Sequence, residues 1–363
     1  MKEYGNRQQA LLESIEGDAY LAVNHEGSDS ATIRYLTGFT GEAALLLSKH
    51  GAVLLTDSRY TEQAKGETEA LPIEEDRGWR LKATAEAISA RGLERIVFPS
   101  ARASFYWVDE MRKFGGFTLV PERDPVAALR RTKSPEEVAC LKKAAAIADE
   151  AFASLIPELR VGMSEAEAAL RLEVLIRETD AEGIAFDVNC STGANTALNH
   201  YNPSLDPRPL VKGDLLLFDF GACYGGYRSD ITRTVSVGKP QGRAREIYDI
   251  VLRANLAAIE AVRSGKPASE IDAVARDLIA EAGYADFFGH GLGHGIGLEV
   301  HEAPGLTPQN NDPLEAGMVA TIEPGIYLPG FGGVRIEDDV VVGPNGCEVI
   351  TGFPKHDLIE VGR

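Results

Sequence analysis

Residues 290–302 read HGLGHGIGLEVHE, with glycine at 291, 293, 295 and 297 and histidine at 290, 294 and 301. Glycine on every second position lets a chain run flat against its neighbours and lets other backbone come close. In an extended segment side chains alternate between faces, so His290 and His294 share one. An unbroken strand would turn His301 to the other face, and a bend or bulge near Gly295 to Gly297 would bring it back. A dinucleotide loop needs GxGxxG between a strand and a helix, and this register does not supply it.

Two acidic stretches lie on either side in sequence: LLLFDFGACYGGYRSDITRT (215–234) and TIEPGIYLPGFGGVRIEDD (321–339). Each reads as two apolar strands around a glycine-bearing turn. Folding the first about Tyr224 and Gly225 sets Asp219 and Asp230 opposite one another, or nearly so. Folding the second about Gly330 sets Glu323 opposite Glu337. Like charges across a strand pair destabilise it. Carboxylates paired among apolar neighbours need a cation between them or a shared proton, and a divalent metal is the simplest answer.

Helical patterns cover 136–155, 164–177, 243–264 and 268–282, with apolar residues at i, i+3 and i+4. These helices bracket the hairpins, so residues 131–363 form an α+β domain. Residues 1–130 alternate short strands (AYLAV, RIVFP, FTLVP and a hairpin around Lys49 to Gly51) with helical stretches beginning at Arg7 to Glu16. That is an α/β domain. The boundary falls at PERDPVAALRRTKSPEE, where Ser134, Pro135 and Glu137 spell a capping box and open a helix.

A net charge of −18 excludes nucleic acid as a general partner, since phosphate binding needs a basic surface. No apolar run reaches the roughly 18 residues of a membrane helix. The first residues carry no continuous apolar core with a small-residue cleavage site, so a cytoplasmic location is expected. Cys140, Cys190, Cys223 and Cys347 form no CxxC pair and are expected to be reduced. Of the seven histidines, His25, His50 and His356 read as surface or loop residues, and His200 joins the three of the glycine-rich run.

HGLGHGIGLEVHE closely resembles the signature of the proline-specific peptidases, prolidase and aminopeptidase P. The acidic hairpins, RRTKSPEE, IRYLTGFTG and LLTDSRYTEQA extend the likeness over nearly the whole chain. The resemblance implies a creatinase-like N-terminal domain and a pita-bread catalytic domain. It implies that Asp219, Asp230, His294, Glu323 and Glu337 hold two divalent ions. Asp230 and Glu337 would bridge both, while His294 would bind one. His200, His301 and Glu323 match catalytic residues, the histidines contacting substrate and Glu323 carrying a proton. His290 and Arg335 are expected on the substrate side, Arg335 beside the Glu337 ligand. The implied substrate is a proline-containing di- or oligopeptide, and the implied assembly is a homodimer.

Four carboxylates and one imidazole suit manganese, with cobalt or zinc as substitutes. Two ions about 3.5–4 Å apart lower the pKa of a water between them. Phe186 and Tyr227 are candidates for the proline pocket. Three other readings share parts of this pattern: a methionine aminopeptidase, a creatinase and an inactive peptide-binding module. A methionine aminopeptidase usually lacks the first domain, and the five intact ligands weigh against the other two.

Overall fold

The computed structural model describes residues 2–68, 70–76, 78 and 80–362. The chain divides into two compact units, Met1–Arg130 and Arg131–Arg363. Among the described residues no helix is long and apolar enough to cross a membrane, and the four cysteines form no disulfide with one another.

The first unit is built on a six-stranded mixed sheet. Its central strand, Ala19–Asn24, is wholly buried. It runs antiparallel to Ala43–Ser48 and parallel to Arg95–Pro99. Continuous apolar sequence suits a strand covered on both faces. Ser48 pairs with Gly51, which closes the expected hairpin at Lys49 and His50. The first helix spans Lys2–Ser14, beginning earlier than its apolar pattern. Within the added turn Glu3 forms an ion pair with Arg7 one turn on, and Arg7 and Gln8 donate to the carbonyls of Tyr35 and Leu36 at 3.0 and 2.8 Å.

In the second unit the helix Pro135–Leu155 opens with the capping box read from sequence. Glu137 N donates to Ser134 Oγ at 3.3 Å, and Ser134 N donates to Glu137 Oε2 at 2.7 Å. The helix Gly242–Ala261 stops three residues short of the expected Ser264. Val262 is fully buried in an extended conformation, so packing draws the chain out of the helix there. This helix and Ala268–Glu281 share one apolar core with the strands carrying the second acidic hairpin. Each fully buried Ile, Leu or Val in that core contributes roughly 1.5–3 kcal/mol.

The hairpin registers decide where the carboxylates point. Gly225 and Gly226 have φ of 59° and 82°, the pattern of a two-residue type I′ turn. The ladder therefore pairs Asp219 with Thr232 and Phe220 with Ile231. Asp230 lies two residues from Thr232, on the same face. It is a diagonal neighbour of Asp219 rather than its direct partner, because the turn centres half a residue beyond Gly225. In the other hairpin Ile322 pairs with Asp338 and Gly325 with Arg335. Glu323 and Glu337 sit opposite one another between these two ladders.

Candidate metal centre

His294 occupies the middle of the short strand Gly293–Gly295, flanked by Glu302–Leu306 and Val319–Ile322. A Cβ at residue 293 would lie 2.0 Å from the Thr321 carbonyl oxygen, and one at 295 would lie 2.3 Å from that of Ala303. Only glycine fits at either place, which leaves His294 as the side chain standing clear of the strand. Its Nδ1 is 3.1 Å from the Gly295 carbonyl oxygen, which can only accept, so Nδ1 carries the proton. Nε2 is then a free lone pair, 3.4 Å from Glu323 Oε1 and 3.7 Å from Asp230 Oδ2.

The carboxylates are held from behind. Thr321 Oγ1 accepts from His294 N at 3.0 Å and donates to Glu323 Oε1 at 3.1 Å. Thr232 Oγ1 donates to Glu337 Oε2 at 2.6 Å. Arg335 Nη2 donates to Asp219 Oδ2 at 2.6 Å, and its Nε to Thr232 Oγ1 at 2.9 Å. Arg335 thus touches Asp219 directly and reaches Glu337 through Thr232. Asp230, Glu337 and Arg335 are at most 5% exposed.

Crowding such groups out of water disfavours their charged forms. Burial raises Asp230 well above the carboxylate range, with Glu337 and Asp219 adding to the effect. Glu337 rises for the same reason, with Glu323 and Asp219 beside it. Burial lifts Glu323 to about 7 even though Arg335 opposes the shift. Asp230 Oδ1 has no hydrogen-bond partner. Asp230, His294 and Glu337 each bring a ligand atom to within 4.8 Å of the others. Hard oxygen donors, one imidazole and an orphaned carboxylate oxygen fit divalent cations.

A cavity of about 600 Å³ opens over this cluster, lined by Asp219, Asp230, His294, Glu323, Glu337, His200, His290, His301 and Arg335. His301 returns to the site because a bulge between Gly293 and Gly295 and the 296–301 loop carry it there. Its ring lies 4.4 Å from that of His294, centre to centre, and burial lowers its pKa. His290 is pushed down to about 4, first by burial and then by Arg335. Its Nδ1 donates to the Gly291 carbonyl at 2.7 Å, so Nε2 accepts from Tyr327 OH at 2.9 Å. Tyr327 OH in turn accepts from Arg335 Nη1 at 3.2 Å.

Phe186 lines the cavity, but Tyr227 does not. Tyr227 is buried elsewhere with its hydroxyl 2.5 Å from Glu137 Oε1, so its place in a proline pocket is corrected. Two further residues stand out only in the structure. Glu165, fully buried, accepts from Thr192 N, Asn195 Nδ2, Tyr201 OH and Arg208 N. It clamps both ends of the segment that carries His200. Asn189 pairs directly across from Asp219 and donates from Nδ2 to the Asn199 carbonyl at 3.2 Å. Neither belongs to a spaced motif, and Glu165 reads in sequence as ordinary acid in a helix's first turn.

Residues 139–344 match metallopeptidase family M24, and residues 6–132 match the creatinase/prolidase N-terminal domain. The chain belongs to family M24. The uncharacterized peptidase YqhT of Bacillus subtilis is 41% identical over 334 residues, which is 92% of this chain and 94% of that protein. The solved Xaa-Pro dipeptidase from Bacillus anthracis is 38% identical with a TM-score of 0.93, covering 99% of both chains. The X-Pro aminopeptidase from Thermotoga maritima is also 38% identical, with a TM-score of 0.91 over 98% of this chain and 100% of that one. The catalytic unit of such M24 enzymes has the pita-bread fold, preceded here by the creatinase-like domain.

Proposed function

We propose that this M24 peptidase hydrolyses the bond preceding proline in dipeptides or short peptides, using two divalent cations. The observation that carries the reading is the convergence of Asp219, Asp230, His294, Glu323 and Glu337 with three histidines on one cavity. The complete ligand set weighs against an inactive peptide-binding module and a creatinase, and the matched first domain weighs against a methionine aminopeptidase.

Manganese is proposed as the ion because the donors are hard, with cobalt or zinc able to substitute. When bound, the cations supply Lewis acidity that polarises the carbonyl and makes a water nucleophilic near neutral pH. Glu323, steadied by the Thr321 hydroxyl, takes the proton released on attack and passes it to the departing proline nitrogen. His301, packed on His294, donates to the carbonyl oxygen as negative charge develops there. His200 contacts the substrate from its loop. His290 stays neutral at pH 7 and borders the substrate, while Arg335 fixes Asp219 and balances the carboxylate charge. A cytoplasmic homodimer is the proposed setting.

The test is hydrolysis of Ala-Pro, Ala-Pro-Ala and Ala-Ala by manganese-loaded protein. Cleavage before proline with Ala-Ala spared supports the reading. Ala-Pro-Ala then separates an aminopeptidase, with its cleft open beyond proline, from a dipeptidase. Cleavage of Ala-Ala alone would refute it.

A further inference from the structure

A second cavity, of about 640 Å³, shares Phe186, Asp187, His200 and Asp219 with the metal cavity. One wall is a face of the helix Glu165–Arg177, presenting Ala166, Ala169, Leu170 and Glu173 at helical spacing. Val188 and Pro203 add further apolar lining. Among the described residues no lysine or arginine lines the cavity. The side chains of Glu173 and Asp187 make no hydrogen bond or ion pair with described residues. Asn189 is 8% exposed and lines the cavity, and its Oδ1 has no hydrogen-bond partner.

We propose that this cavity receives the side chain of the residue preceding proline and selects a cationic one, lysine or arginine. The inference rests on the Xaa-Pro reading and names its substrate class. Lysine and arginine have an apolar stem and a charged head. The cavity offers the complement, with aliphatic and aromatic walls plus two unpaired carboxylates. A guanidinium or ammonium supplies donors to these carboxylates without needing one in return. This cavity meets the metal cavity beside Asp219, which Asn189 faces directly across the ladder. The same charge orients the substrate. A free dipeptide carries its ammonium on the residue before proline and its carboxylate on proline, so the acidic cavity attracts the first and repels the second.

The experiment compares kcat/KM of the manganese-loaded enzyme for Arg-Pro, Lys-Pro, Leu-Pro, Ala-Pro and Glu-Pro. Arg-Pro and Lys-Pro are expected to exceed Leu-Pro by about tenfold, the scale of one or two partly exposed ion pairs, with Glu-Pro slowest. In the double variant Glu173→Gln/Asp187→Asn the Arg-Pro to Leu-Pro ratio should fall toward one. Cleavage of Ala-Pro with no preference for Arg-Pro over Leu-Pro would overturn this inference and leave the Xaa-Pro reading standing. A preference that survives the double variant would overturn the assignment to this cavity. Failure to cleave any of the five, or Ala-Pro-Ala and Arg-Pro-Ala beside them, would overturn the Xaa-Pro reading and the inference with it.

Discussion

Arg335 Nη2 lies 2.6 Å from Asp219 Oδ2, joining a 5% exposed guanidinium to the edge of the carboxylate cluster. Its other nitrogens reach Thr232 and Tyr327. One side chain therefore braces Asp219 directly, Glu337 through Thr232 and His290 through Tyr327. Arg335→Met should lower kcat/KM for Ala-Pro at least about a hundredfold. It should also cost the metal-free protein about 3–5 kcal/mol, the scale of breaking a buried charge pair. Steady-state kinetics and thermal melts with and without manganese check both. Activity within a few-fold of the parent would refute this bracing role.

Glu165 makes a comparable clamp on the other wall. Four separate groups donate to it, drawn from residues 192 to 208. Glu165→Gln turns one acceptor into a donor and leaves buried donors unpaired, at about 1–3 kcal/mol each. Faster hydrogen exchange across residues 192–208 and lower kcat are expected, with metal content unchanged. Unaltered exchange in that segment would contradict the clamp.

Much of the site was legible because backbone period and turn chemistry are local. Alternating glycines marked His294, and the symmetric hairpin about Gly330 set Glu323 against Glu337 without any tertiary knowledge. The Asp219 hairpin slipped by one diagonal because the two-glycine turn, rather than the apolar pattern, fixes its register. Glu165 and Asn189 were hidden for a different reason. Their importance comes from partners 10 to 43 residues away, which no spacing rule exposes. Val262 likewise left its helix for a tertiary reason, the pull of the buried core.

A pH effect separate from the metal centre is expected in the first unit. Asp29 is 3% exposed. Burial raises its pKa from 3.8 to about 7, against the pull of the Thr32 hydroxyl and then of Arg102 and Arg130, with Asp124 adding to the rise. The folded state keeps a proton that the unfolded chain releases near 3.8. Stability is therefore lost as pH rises between about 4 and about 7, by up to roughly 1.4 kcal/mol per unit, and levels off above. Melting temperatures of Asp29→Asn and the parent should diverge over this range, the variant gaining toward pH 8. Parallel curves would contradict the assignment.

His294 supplies the only imidazole among the five proposed ligands and is assigned to one ion. His294→Ala should therefore retain one tightly held ion per chain where the parent holds two, with hydrolysis lost. Metal analysis after desalting reads this directly. Two ions retained in the variant would remove His294 from the ligand set.

The most direct test of the central claim is to strip the protein with a chelator and titrate manganese back while following Ala-Pro hydrolysis. No hydrolysis is expected at the start, then a rise that saturates near two ions per chain, with Asp230→Asn failing to recover under the same titration. Full hydrolysis by the stripped protein, or two bound ions with no hydrolysis of any Xaa-Pro peptide, would contradict it.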